Sequence, residues 1–451
     1  MPPMDPLPPA PTRRSLLTGS VKLGLGLGAG SLLGKPAVAR DWFVGTKAMR
    51  VRHAAVGVGG MGGADLEQIS GHGAIDVVAL CDVDSARLES AGKLFPNARL
   101  YRDWREMLAK EDGNIDSVHV TIPDHMHAPV MLEALRRRKH VYGQKPLCRT
   151  VAEARAVSAA AARAGTVTQM GIQNHSNANY DAARQLFEAG HIGRVHEVHV
   201  WTDRPRNWWP QGVERAEGED PVPETLDWNL WLGTAPERPY KEKLYHPFSW
   251  RGFRDFGTGA QGDMACHLMD PGLWFLELEP PLSVRSDGPV PNDESFPLWT
   301  RVHYEFGPTR HTTRGPLLFT WYDGGKAPAA ALAELGVEDV PPNKCLFIGE
   351  KGALLADPYG PPRLLPEERF ADVPIPSGTY VSHWHQWVDA CRGVGRASAP
   401  FSYAAFLTEV ALLGNVALEY PHETLRWDAS RMRFPGRSEA DRLLSSVPRK
   451  F

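Results

Sequence analysis

From residue 50 onward the chain alternates short apolar runs with stretches of helical periodicity. The run 50–56 (Arg50-Val51-Arg52-His53-Ala54-Ala55-Val56) reads as a buried strand, and similar runs follow at 75–80, 117–122, 140–142 and 166–170. The segments between them, at 64–70, 85–94, 130–138 and 151–164, read as helices. Strand–helix repeats of this kind predict an α/β fold with a doubly wound parallel sheet, here over residues 48–170. Ligands of such sheets bind past the C-terminal ends of the strands. Gly57, Asp82, Pro123, His127 and Lys145 all stand at such ends.

Past residue 171 the pattern changes. A helix at 180–189 is followed by short strands at 194–201, 300–306, 317–322 and 345–348, separated by proline-rich loops, with a hairpin turn at Glu350-Lys351. This predicts a second domain, of α+β class with a mostly antiparallel sheet, over 171–399. A helix at 401–419 opens the remainder, 400–451, whose tail is expected to pack back on the body.

The N-terminus follows a different grammar. Residues 1–11 contain six prolines, and Thr12-Arg13-Arg14-Ser15-Leu16-Leu17 forms a twin-arginine pattern. A glycine-rich, weakly apolar stretch runs to Leu33, and Ala37-Val38-Ala39 supplies an A-x-A cleavage signal. Residues 1–39 therefore read as a secretory signal of the Tat type. This implies the Tat export machinery as a partner and a periplasmic or otherwise exported protein. A membrane anchor would need a longer stretch with fewer glycines. Nothing later in the sequence offers a membrane span. Residues 1–39 hold four cations and one acid, so their removal takes the net charge from −3 to −6.

Composition narrows the function. The chain is 42% hydrophobic and 23% charged over 451 residues, which argues against disorder and a multi-span membrane protein. No basic excess points to nucleic acid. Five cysteines without pair spacing read as buried thiols. The 14 tryptophans are placed unevenly. Trp104 alone falls in 48–170 and twelve lie beyond 171, where a substrate would be selected. Aromatic faces stack on the C–H faces of sugars, so the bias suggests a carbohydrate ligand, although most of these rings are expected in the core.

The first strand runs into Gly57-x-Gly59-Gly60-Met61-Gly62, a Rossmann dinucleotide-binding fingerprint. Gly57 allows the turn, Gly59 admits a pyrophosphate to the backbone, and Gly62 permits close packing of the helix whose N-terminal amides meet the phosphates. Asp82, 20 residues past Gly62, is placed to bind the adenosine ribose and to repel a 2′-phosphate, favouring NAD over NADP. In the second half, Asp263 and His267 are four apart and share a helix face, an arrangement suited to an acid/base dyad. The loop Gln173-Asn174-His175 should enter the same cleft, with His175 as a substrate contact or second base and Tyr180 close behind. Trp250 and Arg251 are the preferred sugar contacts. A metal site built on the pairs His125/His127 and His383/His385 lacks any familiar ligand spacing, so no metal is expected. The second pair reads instead as part of a helix at the domain junction.

Together these residues resemble the Gfo/Idh/MocA family of oxidoreductases, named for glucose–fructose oxidoreductase and inositol dehydrogenase. The family's E-K-P motif is matched by Gln144-Lys145-Pro146, and its D-x-x-x-H motif by Asp263 and His267. The tail from Trp427-Asp428 is similar to that of the family's signal-bearing branch. The resemblance implies that Lys145 is catalytic, that Gln144 and Lys145 join the cofactor contacts with Pro123 and His127, and that the chain forms homo-oligomers through the second-domain sheet. Gln144 departs from the family's glutamate and removes a charge beside Lys145, which should ease its deprotonation.

The expected activity is NAD-dependent hydride transfer on a sugar or glycoside hydroxyl. An exported enzyme meets no free NAD pool, so the cofactor should be held tightly and recycled within each cycle. A ping-pong oxidoreductase satisfies this. A redox-neutral NAD-dependent glycosidase that oxidises C3, eliminates, hydrates and reduces also satisfies it. A non-catalytic sugar- or NAD-binding protein would need no Lys145, Asp263 and His267 set.

Overall fold

The structure, a computed structural model, describes residues 49–289 and 291–451. The segment read as an export signal, 1–39, lies outside the described residues.

The first half alternates β1 (Val51–Val56), α1 (Met61–Ser70), β2 (Ile75–Cys81), α2 (Ser85–Leu94), β3 (Arg99–Tyr101), α3 (Trp104–Lys110), β4 (Ser117–Val120), α4 (His127–Arg136), β5 (His140–Gly143), α5 (Val151–Ala164) and β6 (Thr168–Met170). The six strands are parallel, in the order β3-β2-β1-β4-β5-β6. Strand order reverses between β1 and β4, which is where a doubly wound sheet opens its ligand crevice. Local sequence sets the helix ends. Asp84 and Asp103 cap α2 and α3 by accepting from the N–H groups of Ala86 and Arg105. Thr150 and Glu153 form a capping box on α5, which ends at the left-handed Gly165. Each such cap stabilises by about 1 kcal/mol. Three features escaped the periodicity, the seven-residue helix α3 among them. Helix α1 begins at Met61 rather than 64, because Gly62 and Gly63 inside it carry no apolar signal. Edge strand β3 is three residues long and mostly exposed.

The second half contains α6 (Ala178–Glu188), β7 (Val195–Trp201), α7 (Trp228–Leu232), α8 (Gly259–Leu268), α9 (Asp270–Phe275), β8 (Ser283–Asp287), β9 (Arg301–Phe306), β10 (Leu317–Tyr322), α10 (Ala329–Glu334), β11 (Lys344–Gly349), β12 (Gly352–Ala356), β13 (Arg363–Leu365), α11 (His383–Cys391), α12 (Phe401–Ala417) and β14 (Thr424–Arg426). Its eight strands run β13-β12-β11-β7-β10-β9-β8-β14. Only the β7–β10 pair is parallel; the other six are antiparallel. Strands β8, β13 and β14 went unread because each is at most five residues long and carries arginine among its few apolar positions.

One core joins the two sheets. The inner face of the second sheet (Val198, Phe319, Phe347) packs with Met264, Ala265 and Leu268 of α8 and with α12, in the same cluster as Val118 and Val141 of the first sheet and Val130 of α4. Burying each large apolar side chain contributes roughly 1.5–3 kcal/mol. Helix α12 is buried nearly all round, which fits its apolar composition. Helix α11 packs Trp387, Val388 and Cys391 against Val51, Ile69, Ile75 and Tyr142, on the nucleotide-binding half. The tail returns to the body: Arg449 donates to the carbonyls of Gly233 and Ala235, and Arg105 donates to the Phe451 carbonyl. All five cysteines are buried free thiols, and no helix of the described residues is long and apolar enough to cross a membrane.

Candidate active site

The glycine loop has the geometry its sequence demands. Gly57 lies at φ +86°, and a Cβ there would sit 2.1 Å from the Thr121 carbonyl oxygen. A Cβ on Gly62 would lie 2.2 Å from the Gly57 carbonyl, so helix and strand touch through backbone alone. Gly59 is different: the three atoms nearest a Cβ there all belong to the Arg87 side chain and none to backbone. Gly60 is left-handed at φ +55°, and Met61 beside it is 39% exposed at the mouth of the loop. Asp82, at the end of β2, accepts from the N–H groups of Val58 and Asp84, at 3.0 Å each. Burial raises its carboxyl, and those two bonds oppose the rise. Pro123 stands just past β4. The loop, the carboxylate and the N-terminus of α1 fit a dinucleotide.

At the end of β5 the Gln144 side chain turns back into the sheet. Its amide donates to Asp65 Oδ2 at 2.9 Å, and its Oε1 accepts from the Lys145 N–H. Asp65 is fully buried and also accepts from Thr121 Oγ1 and Trp384 Nε1. Burial pushes its carboxyl up to about 6, against the lowering effect of those three neutral donors.

Lys145 reaches across the crevice to the second half. Its Nζ donates to Asp263 Oδ1 at 2.8 Å and to the Asp263 carbonyl at 2.9 Å. Arg251 Nε donates to the same Oδ1 at 3.1 Å. Burial works to raise the Asp263 carboxyl, but the two cations hold it well below the usual carboxylate range. The expected hydrogen-bonded dyad of Asp263 with His267 is therefore not what forms: the carboxylate is drawn to the lysine and arginine. His267 lies one turn on along α8, its Nδ1 buried and without a hydrogen-bond partner among the described residues. Burial, reinforced by the Lys145 charge, lowers its proton affinity to about 3, so the ring is neutral. A neutral imidazole beside an ammonium is a proton acceptor with a polarising cation at hand. Asp124, buried and bonded to Thr258 Oγ1, lies within electrostatic range of this group; burial brings it to about 7.

The aspartate–histidine pair that does form is His175 with Asp270, Nδ1 to Oδ2 at 2.8 Å. His175 stacks on Trp274, ring centroids 4.1 Å apart, and Tyr403 donates to Asp270 Oδ1. Asp270 opens α9, with Pro271 next in its first turn, and its carboxylate serves His175.

Three expected contacts are corrected by burial. Tyr180 is fully buried and its hydroxyl donates to the His267 carbonyl, so it fixes α8 rather than meeting a substrate. His127 is buried with Nδ1 2.9 Å from the Pro146 carbonyl and Nε2 2.8 Å from the Ile122 carbonyl, so its ring is enclosed between the two loops and one of its nitrogens donates there. Trp250 is only 7% exposed, in a cluster with Tyr245, Phe253 and Phe256, and its ring supports the Arg251 guanidinium at 4.4 Å. Arg251 itself is at the site. His125 and His383 bond backbone carbonyls, His125 those of Trp231 and Leu232, His383 that of Met170. Asp65, Asp124 and Tyr403 were missed: none stands in a recognisable motif, and only the tertiary fold brings them to these positions.

Comparison with known proteins places this geometry. Residues 51–172 match the family model described as "Oxidoreductase family, NAD-binding Rossmann fold", and 176–311 match that family's "C-terminal alpha/beta domain". An inositol 2-dehydrogenase from Salmonella typhimurium (strain LT2) is 28% identical over 237 residues, covering 51% of this chain and 64% of the relative, so the match spans less than two thirds of that enzyme. A D-apiose dehydrogenase from Paraburkholderia graminis is 37% identical over 110 residues, 24% of this chain and 28% of the relative. Among solved structures, the WlbA dehydrogenase from Bordetella pertussis in complex with NADH and UDP-GlcNAcA superposes with a TM-score of 0.59 at 16% identity, over 84% of this chain and 99% of that one. The aldose–aldose oxidoreductase from Caulobacter crescentus, complexed with glycerol, gives 0.57 at 16% identity, over 84% and 100%. These structural likenesses concern the fold. With both halves matched by the models of one family, the chain belongs to the Gfo/Idh/MocA oxidoreductases, an NAD-binding Rossmann domain joined to that family's C-terminal α/β domain.

Proposed function

We propose that this protein is an NAD-dependent oxidoreductase acting on a sugar or glycoside hydroxyl. The observation that carries the reading is the meeting of Lys145, Asp263 and His267 across the crevice at the end of β5. When bound, NAD supplies a two-electron hydride acceptor. The protein's own residues handle the proton and the charge. Neutral His267 takes the hydroxyl proton as the carbinol C–H bond breaks. The Lys145 ammonium, fixed by Asp263, stabilises the oxygen as it becomes a carbonyl. Asp263 keeps Lys145 aimed and Arg251 neutralised. Asp82 favours NAD over NADP through the repulsion a 2′-phosphate would meet.

The twin-arginine sequence supports an exported enzyme whose cofactor is carried out with it, held tightly and reoxidised by a second sugar within the cycle. Sugar-related enzymes among the relatives, inositol 2-dehydrogenase and D-apiose dehydrogenase, support the substrate class. The test is to denature the purified protein and identify the nucleotide released, then to give the loaded protein sugars and aryl glycosides in D₂O. Bound NADH with a keto-sugar is expected. Leaving-group release with deuterium at C2 would assign the redox-neutral glycosidase instead. Absence of any tightly bound nucleotide would overturn internal recycling.

A further inference from the structure

The cations of this cleft outnumber the carboxylates that serve them. Lys145 and Arg251 share a single oxygen, Asp263 Oδ1. A third cation, Arg204, lies within electrostatic range of Asp263 and of Tyr359. Its guanidinium lies 3.4 Å over the ring of Trp208, which is 44% exposed. One nitrogen, Nη1, donates to the neighbouring Asp203 at 2.9 Å. Its Nε and Nη2 have no hydrogen-bond acceptor among the described residues, although the side chain is only 15% exposed. Burial lowers its proton affinity in spite of Asp203 and Asp263, as expected for a cation whose charge is incompletely balanced.

Three cations thus face two ionised carboxylates. Asp124, at about 7, adds only part of a charge, and His267 is neutral. The remainder is positive but short of one full charge. A half-buried guanidinium with two adjacent free donors, held flat by an aromatic face, is the fork that oxyanions take up. Lys145 and Arg204 both act on Asp263, Lys145 by direct hydrogen bonds and Arg204 through its field.

We propose that the substrate is a sugar carrying one oxyanion, a uronate carboxylate or a sulfate ester, and that Arg204 is the residue that reads it. The proposal rests on the sugar-oxidoreductase reading above and sharpens its substrate class. A phosphate monoester, with nearly two charges, matches the remainder less well.

The test measures binding to the cofactor-loaded full chain by calorimetry, using matched pairs: glucuronate and glucose, galacturonate and galactose, glucose 6-sulfate and glucose. At least one acid should bind tenfold or more tightly than its neutral parent, with the preference shrinking as salt rises. The stronger arm distinguishes carboxylate from sulfate. Arg204→Gln should erase the preference and Arg204→Lys should restore part of it, with the released nucleotide content unchanged in both. Equal affinities within every pair, no binding by any of the acids, or a preference that survives Arg204→Gln would overturn the proposal. Acids that bind with the expected preference but never reduce the bound cofactor would sink the oxidoreductase reading and leave the anion site standing. Reduction by neutral sugars with no preference for acids would do the reverse.

Discussion

The Gln144 amide donates to the Asp65 carboxylate at 2.9 Å, with both side chains buried. The family's E-K-P glutamate is therefore absent from position 144, yet a carboxylate stands one hydrogen bond away, on α1. No cation is among the hydrogen-bond partners of Asp65, which are Gln144, Thr121 and Trp384. Restoring the glutamate by Gln144→Glu would set two carboxylates against each other in the core. Such a pair is forced to share a proton. The variant should melt several degrees below wild type at pH 8 and recover most of that loss at pH 5, checked by thermal unfolding followed by circular dichroism.

Asp65 itself should give the wild type a pH-dependent stability of definite sign. Burial raises its carboxyl to about 6 from 3.8. The folded state therefore holds this proton more tightly than the unfolded chain does. Its contribution to stability grows as pH falls from above 6 towards 4 and is lost as pH rises through about 6. The upper bound is about 3 kcal/mol, from a shift of about two pH units. Asp65→Asn should flatten this part of the stability–pH curve, measured by urea unfolding at intervals between pH 4 and 8. An unchanged slope would show that the group titrates elsewhere.

Lys145→Ala and His267→Gln should each lower kcat by about 10²–10⁴-fold, the range for losing a positioned proton-transfer group, while the nucleotide released on denaturation stays the same. His267 loses its proton at about 3. The wild-type kcat–pH profile should therefore show no His267 limb near 6.5. Asp263→Asn leaves Lys145 and Arg251 without their shared carboxylate and should disturb both orientation and charge, read as a fall in kcat comparable with that of Lys145→Ala.

These pairings also show what a sequence holds and what it leaves out. The glycine loop and Asp82 were legible because each belongs to one local unit, a turn, a helix start or a βαβ unit of roughly 30 residues, and the parallel sheet because that unit repeats, although its central pair β1–β4 joins residues 64 apart. The i, i+4 spacing of Asp263 and His267 correctly put both on one helix. Their hydrogen bonds were not legible, because Asp263 bonds Lys145 across 118 positions and His175 bonds Asp270 across 95. Periodicity gives a side chain's face on its own element and says nothing of which charge waits opposite. For the same reason Tyr180, His127 and Trp250 looked available and proved buried: motif proximity in sequence did not reveal the backbone carbonyls and rings that enclose them.

Asp82 gives a prediction on cofactor choice. Its carboxylate is oriented by the N–H groups of Val58 and Asp84, which keeps the charge beside the glycine loop, with Arg87 next to Gly59. Asp82→Ser removes the charge and keeps an acceptor for one of those donors. It should improve NADP affinity relative to NAD by at least tenfold, measured on nucleotide-stripped protein. An unaltered ratio would mean that the preference is set elsewhere.

The His175–Asp270 pair separates support from chemistry. Asp270 is fully buried and satisfies both His175 Nδ1 and the Tyr403 hydroxyl, while Trp274 covers the imidazole face. Asp270→Ala would leave two polar groups buried without an acceptor, each costing about 1–3 kcal/mol, so a loss of roughly 2–5 kcal/mol is expected in chemical unfolding. His175→Gln keeps a donor for Asp270 and shortens the side chain only slightly. If His175 supports the second-domain wall, that variant should keep kcat within tenfold of wild type. If its other nitrogen handles a substrate proton, kcat should fall as far as in His267→Gln and the rate profile should change shape with pH. Comparing the two variants under identical cofactor loading distinguishes the roles, because only the second outcome alters proton transfer without altering the unfolding midpoint.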